Sequence, residues 1–159
     1  MSWYEKKYNY LRKHQTLSNC ILFVSTWLTR LVYVSYGLLV IYACIHQRWK
    51  CIWVPAIGFG LETWIRATLN QPRPYEVLDF PALKPKATKG KSFPSRHCFS
   101  VAIISMAMAY VNLWLGVLFI LFTLVLMICR VCIGVHWIKD VVVGALLGWL
   151  LGWIGFFIL

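Results

Sequence analysis

Charge is scarce in this chain, and negative charge is scarcer still. Only 13% of the 159 residues are charged, and Asp and Glu together number 5. Soluble domains usually carry about 25% charged residues. With 60% hydrophobic residues, the composition excludes an ordinary soluble domain. No charge at all falls between Cys98 and Cys129, a run longer than one membrane crossing requires. Also missing are a nucleic-acid-binding motif, low-complexity sequence and a domain-scale repeat. No Cys/His spacing matches a zinc site. The six cysteines lie in or beside apolar segments and read as free, buried thiols. No small-residue cleavage site follows the basic start, so no cleavable signal peptide is expected.

What remains is an apolar, basic chain. Lys and Arg number 16, for a formal net charge of +11. In a membrane protein that excess points to anionic lipid or an anionic headgroup, not nucleic acid. The expected fold is all-α, a polytopic transmembrane helix bundle of five or six spans forming a single domain over 1–159. Residues 1–16 are basic and aromatic. Trp3, Tyr4, Tyr8 and Leu11 fit one face of an interfacial helix. Residues 17–45 read as a short helix to about Leu28, then a span from Leu31 to Ile45, with Arg30 at the break. A second span covers Cys51 to about Leu69. A loop over 70–95 holds five of the six prolines, with Lys84, Lys86, Lys89 and Lys91. Cys98 to Cys129 fits a hairpin turning near Asn112 to Gly116. The last span runs from near His136 to Leu159, where Gly144, Gly148 and Gly152 recur every fourth residue. Such a small-residue ladder lets helices approach closely.

Counting crossings gathers the polar residues. Arg66 and Arg73 end one span, and none separates them from Ser95, Arg96 and His97. Two crossings lead from His97 to Arg130, and none from there to His136 and Asp140. All therefore share one membrane face. Charged groups within membrane helices are costly and mark functional sites by default. Arginine forks suit phosphate oxygens. His136 and Asp140 are four apart, so a carboxylate can orient an imidazole acting as nucleophile. His97 opens a helix, where it can protonate a leaving oxygen. Ser95 and the amides beside it can bind an anion. Singly each has a bland explanation: Arg66 can pair with Glu62, and His97 can be an ordinary interfacial histidine. Together they point to phosphoryl transfer without metal.

The spacing Arg66-x6-Arg73-Pro74, then Pro94-Ser95-Arg96-His97, then Arg130-x5-His136-x3-Asp140 resembles the three-part signature of the type 2 phosphatidic acid phosphatases (PAP2). That family shares its signature with vanadium haloperoxidases and bacterial acid phosphatases. The resemblance implies that Arg66, Arg73 and Arg130 bind phosphate, with Ser95 and residue 96. It implies that His136 attacks phosphorus, Asp140 supports it and His97 protonates the leaving group, with no cofactor or metal. Three positions depart from the family pattern: Arg66 replaces a lysine, Arg96 a glycine and Cys129 a serine. The implied partners are the bilayer and a lipid phosphate, with polyprenyl (undecaprenyl) diphosphate ranked before phosphatidylglycerophosphate and phosphatidic acid. The implied location is the cell membrane, with the site on the extracytoplasmic face. Charge counting bears on that last point. With five spans, 14 of the 16 Lys and Arg lie at the active face, which the positive-inside rule would put in the cytoplasm. A sixth crossing within 17–30 would remove that bias.

Overall fold

The computed structural model describes residues 3–78, 82–84 and 89–159. Lys86 and part of the 70–95 loop lie outside the described residues. Every regular element among those described is helical. The order is α1 (Trp3–Lys13), α2 (Gln15–Ile45), α3 (Lys50–Leu69), α4 (Pro74–Val77), α5 (Arg96–Val111), α6 (Leu113–Ile133) and α7 (Ile138–Trp153). A π-helical turn, Ile154–Ile158, extends α7.

The first span differs from expectation. Residues 15–45 form one unbroken helix, with no interruption at Arg30. An arginine breaks an apolar run but not a helix, and neither proline nor glycine intervenes before Gly37. Thr29 turns its hydroxyl back to the Ser25 carbonyl at 2.7 Å. At about 1.5 Å per residue, α2 is about 46 Å long, well beyond the roughly 30 Å of hydrocarbon. Its first turns therefore serve the membrane surface, and no additional crossing is hidden there.

Three segments are long and apolar enough to cross a bilayer by themselves: Gln15–Ile45, Leu113–Ile133 and Ile138–Ile158. The other two long helices are held among them. Helix α3 carries Glu62 and Arg66 on its buried side. Helix α5 has only 16 residues, yet ten of them are buried. It is the central post, packed against α2, α3, α6 and α7. Asn112 alone separates α5 from α6, and its side chain caps α6 by accepting from the N–H groups of Trp114 (3.0 Å) and Leu115 (3.2 Å). Large apolar side chains such as Trp53, Ile57, Trp64, Ile128 and Leu146 remain exposed on the outside, where lipid takes the place of water.

The glycine ladder explains how closely α5 and α7 meet. A Cβ on Gly144 would sit 2.7 Å from the Ser95 carbonyl oxygen. One on Gly148 would sit 2.6 Å from the Phe99 carbonyl oxygen, and one on Gly152 would be 2.6 Å from Met106 Cβ. The first two obstacles are backbone and cannot swing away. At the top of the contact the Ser95 N–H donates to the Asp140 carbonyl at 2.9 Å. We expect Gly144→Ala to destabilise the fold by about 1–3 kcal/mol through overpacking, measured as a lower Tm in detergent. Gly37→Ala, on α2 with nothing within 4 Å of the new methyl, serves as the control. Equal melting of the two variants would refute the account.

Candidate active site

Three stretches converge at the end of the bundle where α5 and α7 begin. The first runs from the last turn of α3 into α4. Asn70 ends α3 in the left-handed conformation, φ 39°, and its Oδ1 accepts from the Lys91 N–H at 3.2 Å. Glu76, in α4, accepts from the N–H groups of Arg73 (3.0 Å) and Gly90 (2.8 Å). These bonds fold the 89–92 strand of chain back over the end of α3. Its carbonyls then face the arginines. Arg66 donates to the carbonyls of Pro94 and Lys91. Arg73 donates to those of Gly90 (3.0 Å) and Val135 (3.2 Å). Fixed carbonyl partners hold both guanidinium planes in place.

The second stretch is the start of α5. Ser95 is fully buried against α7. Arg96 swings toward α3, with its Nε 3.5 Å from Glu62 Oε2 and its guanidinium 5.2 Å from the centre of the Phe59 ring. The other Glu62 oxygen lies 3.5 Å from Arg66 Nε. One buried carboxyl group therefore sits between two guanidinium groups, which offsets part of the cost of burying it.

The third stretch is the turn between α6 and α7. Gly134 closes α6 with φ +88°, and a Cβ there would strike the Tyr8 ring at 2.8 Å. Helix α1 clamps this turn from outside. The Tyr8 hydroxyl and the Lys7 ammonium both donate to the Val131 carbonyl, at 2.9 and 2.6 Å, beside the Gly134 N–H that reaches the same oxygen at 3.2 Å. Tyr4 Oη accepts from the Ile138 N–H at 3.2 Å. Between these anchors sits His136, only 1% exposed. Its Nδ1 lies 3.5 Å from Asp140 Oδ2. The same oxygen accepts from Ser92 Oγ (2.5 Å) and from the Trp137 N–H (3.0 Å). Ser92 Oγ also lies 3.5 Å from Nδ1. Burial pushes the His136 imidazole down to about 4 despite the Asp140 contact that raises it.

The result is a cavity of about 250 Å³ lined by Arg66, Arg73, Lys89, Lys91, Arg96, His97 and His136. Among the described residues, five that line it carry formal positive charge and none carries negative charge. Of the eight candidates from the sequence, five line this cup. Asp140 and Ser95 stand behind it, fully buried. Arg130 lines a neighbouring cavity that shares His97 with the cup, and its Nη2 donates to Thr29 Oγ1 at 3.3 Å. Sequence reasoning passed over Ser92 and Glu76. Ser92 reaches Asp140, 48 residues away, and Glu76 ties Gly90, 14 residues away, to its neighbour Arg73, and local spacing does not reveal these distant contacts.

A model of the PAP2 superfamily matches residues 49–158. Among solved structures, the chain is similar to LpxE from Aquifex aeolicus, with 29% identity and a TM-score of 0.68, covering 86% of this chain and 84% of that one. It is also similar in fold to the transmembrane PAP2-type phosphatidylglycerolphosphate phosphatase from Bacillus subtilis. That pair shows 20% identity and a TM-score of 0.65, covering 96% of this chain and 90% of that one. No curated protein sequence matches. The family match runs through every one of the eight candidate residues, on a helical membrane fold shared with both solved structures. The chain is a member of the PAP2 superfamily.

Proposed function

We propose that this protein is a metal-independent lipid phosphatase that works through a phosphohistidine on His136. The observation that carries the reading is the orientation of one ring. Nδ1 of His136 is turned to Asp140 and Ser92, while the ring lines a cup of cations. That leaves Nε2 to attack phosphorus. Attack needs the neutral imidazole, which burial supplies. Arg66 and Arg73, with Arg130 reaching in from the adjoining cavity, neutralise the phosphoryl oxygens, and Ser95 and the residue 96 amide hold the anion at the helix start. As the P–O bond breaks, His97 gives its proton to the leaving oxygen. It then takes a proton from the water that cleaves the N–P bond, releasing phosphate and regenerating His136. The side chain of Arg96, where the family has glycine, is drawn aside by Glu62. A cup built of arginines and lysines repels metal ions, which supports catalysis without one.

Among substrates, a polyprenyl diphosphate such as undecaprenyl diphosphate stands first on resemblance to the family, ahead of phosphatidylglycerophosphate and phosphatidic acid. Passage of the phosphate to an acceptor other than water would make the protein a phosphotransferase, and added acceptor that diverts phosphate from release would reveal it. The membrane face is argued from two sides. The family resemblance argues for a cup outside the cell, whereas the single-helix path of residues 15–45 leaves five spans, a parity that assigns 14 of the 16 Lys and Arg of the sequence to the cup's side and favours the cytoplasm. Labelling of Lys84→Cys in intact cells with an impermeant maleimide decides between them.

Purified protein in detergent should release phosphate from lipid phosphates in the presence of EDTA. His136→Ala should lower that release by at least a thousandfold, and unchanged release would remove His136 from its role. Ser92→Ala leaves the nucleophile in place but loosens Asp140, so we expect a 10- to 100-fold loss in kcat with little change in KM. Nitrogen-15 NMR of the phosphate-free protein should find His136 neutral from pH 8 down to about 5, protonating near 4. Because the unfolded chain takes up this proton near 6.5 and the folded chain only near 4, His136 removes stability as pH falls through that window. A midpoint at or above 6.5 would contradict the burial argument.

A further inference from the structure

His97 lines two cavities, and only one of them is the cup. The other, about 400 Å³, lies between α2, the 82–84 segment and the end of α6. Its lining includes Arg30, Lys84, Arg130, Thr29, Tyr33 and His97. Three of these are formal cations, and among the described residues no carboxylate lines the cavity. Arg130 spends one N–H on Thr29. Neither Arg30 nor Lys84 has a hydrogen bond or ion pair among the described residues. Arg30 is instead stacked 5.0 Å from the centre of the Trp27 ring. Stacking steadies the guanidinium plane while its N–H edge stays available.

An arginine that merely reaches for the membrane surface would need no such company. Here Arg30 shares a cavity with the proposed acid catalyst. A third, apolar cavity of about 370 Å³ adjoins at Tyr33, which lines both. It runs between α2, α3 and α5, past Pro55, Phe59 and Ile103. The order is therefore cationic cup, His97, second cationic cavity, Tyr33, apolar groove.

We propose that the second cavity binds a phosphate carried by the leaving group, with Arg30 and Lys84 as its specificity-determining residues. The inference rests on the reading of the cup as a phosphohistidine site. The terminal phosphate occupies the cup and the second phosphate faces Arg30 and Lys84, while the tail follows the apolar groove. The leaving oxygen then lies between two anion sites, beside His97. For a lipid diphosphate the balance is simple. The His136 N–P bond forms as the bridging P–O bond breaks, His97 protonates the departing oxygen, and water returns His136 to its resting form. The products are the lipid monophosphate and inorganic phosphate. A phosphodiester-linked phosphate, as in phosphatidylglycerophosphate, offers the same second charge at a longer spacing.

The test compares wild type with the Arg30→Gln/Lys84→Gln double variant in detergent micelles. The substrates are farnesyl diphosphate, farnesyl monophosphate, phosphatidylglycerophosphate and phosphatidic acid. Wild type should favour one of the two-phosphate substrates over its one-phosphate counterpart at least tenfold in kcat/KM, and the pair that shows the preference identifies the source of the second phosphate. The double variant should cut that ratio by about 10- to 100-fold, the size expected for losing charge-assisted contacts. Both side chains are exposed, so melting should match wild type and report that the fold is intact. A ratio within twofold of wild type refutes the second site while the cup reading stands. Equal wild-type rates on both members of each pair also refute it. If no substrate shows release that depends on His136, the cup reading fails and the second site falls with it.

Discussion

The close approach of α5 to α7 is the contact on which the remainder depends. His97 and Ser95 belong to one helix start, and His136 and Asp140 to the turn and first residues of another. They can meet only if two backbones come nearer than ordinary side chains allow. Gly144 and Gly148 make room against the carbonyls of Ser95 and Phe99, and the bond from the Ser95 N–H to the Asp140 carbonyl fixes the register. In a bilayer the apolar effect offers little to draw helices together, so tight packing of this kind carries much of the association. The same feature thus holds the bundle and sets the distance between the two histidines.

A second constraint is electrostatic. Five cations around one small cavity repel each other in an environment of weak screening. The protein limits this with backbone, not with many acids. Four carbonyls, those of Gly90, Lys91, Pro94 and Val135, receive N–H groups from Arg66 and Arg73. Among the described residues, Glu62 is the acid set against Arg66 and Arg96 from behind. The wall facing the cavity stays positive. Glu76 works on the chain itself, folding the 89–92 stretch so that its carbonyls point inward. Asp140 is occupied by Ser92, the Trp137 N–H and His136, so it orients the His136 ring from behind without entering the cup.

Much of this was readable from residue spacing because membranes impose simple rules. Long apolar runs marked the helices, Asn112 lay within the expected hairpin turn, and the four-residue glycine interval announced a close contact. Span parity put the charged residues on one face, and the folded chain brings five of them around one cup. What escaped was set by contacts distant in sequence. Arg30 suggested a break because charge interrupts hydropathy, although α2 continues through it. Ser92 and Glu76 carry no motif of their own, and their work is visible only once the loop has folded. Arg130 fits the spacing pattern but lies in the adjoining cavity, bonded to Thr29. Which residues share a wall depends on helix rotation, which a linear pattern does not specify.

The brevity of α5 has a mechanical consequence. It has 16 residues and α6 has 21, and the two share the hinge at Asn112. At about 1.5 Å per residue, α6 overtops the start of α5 by about 7 Å. The floor of the cationic cup is thus a sunken well whose rim is formed by its neighbours.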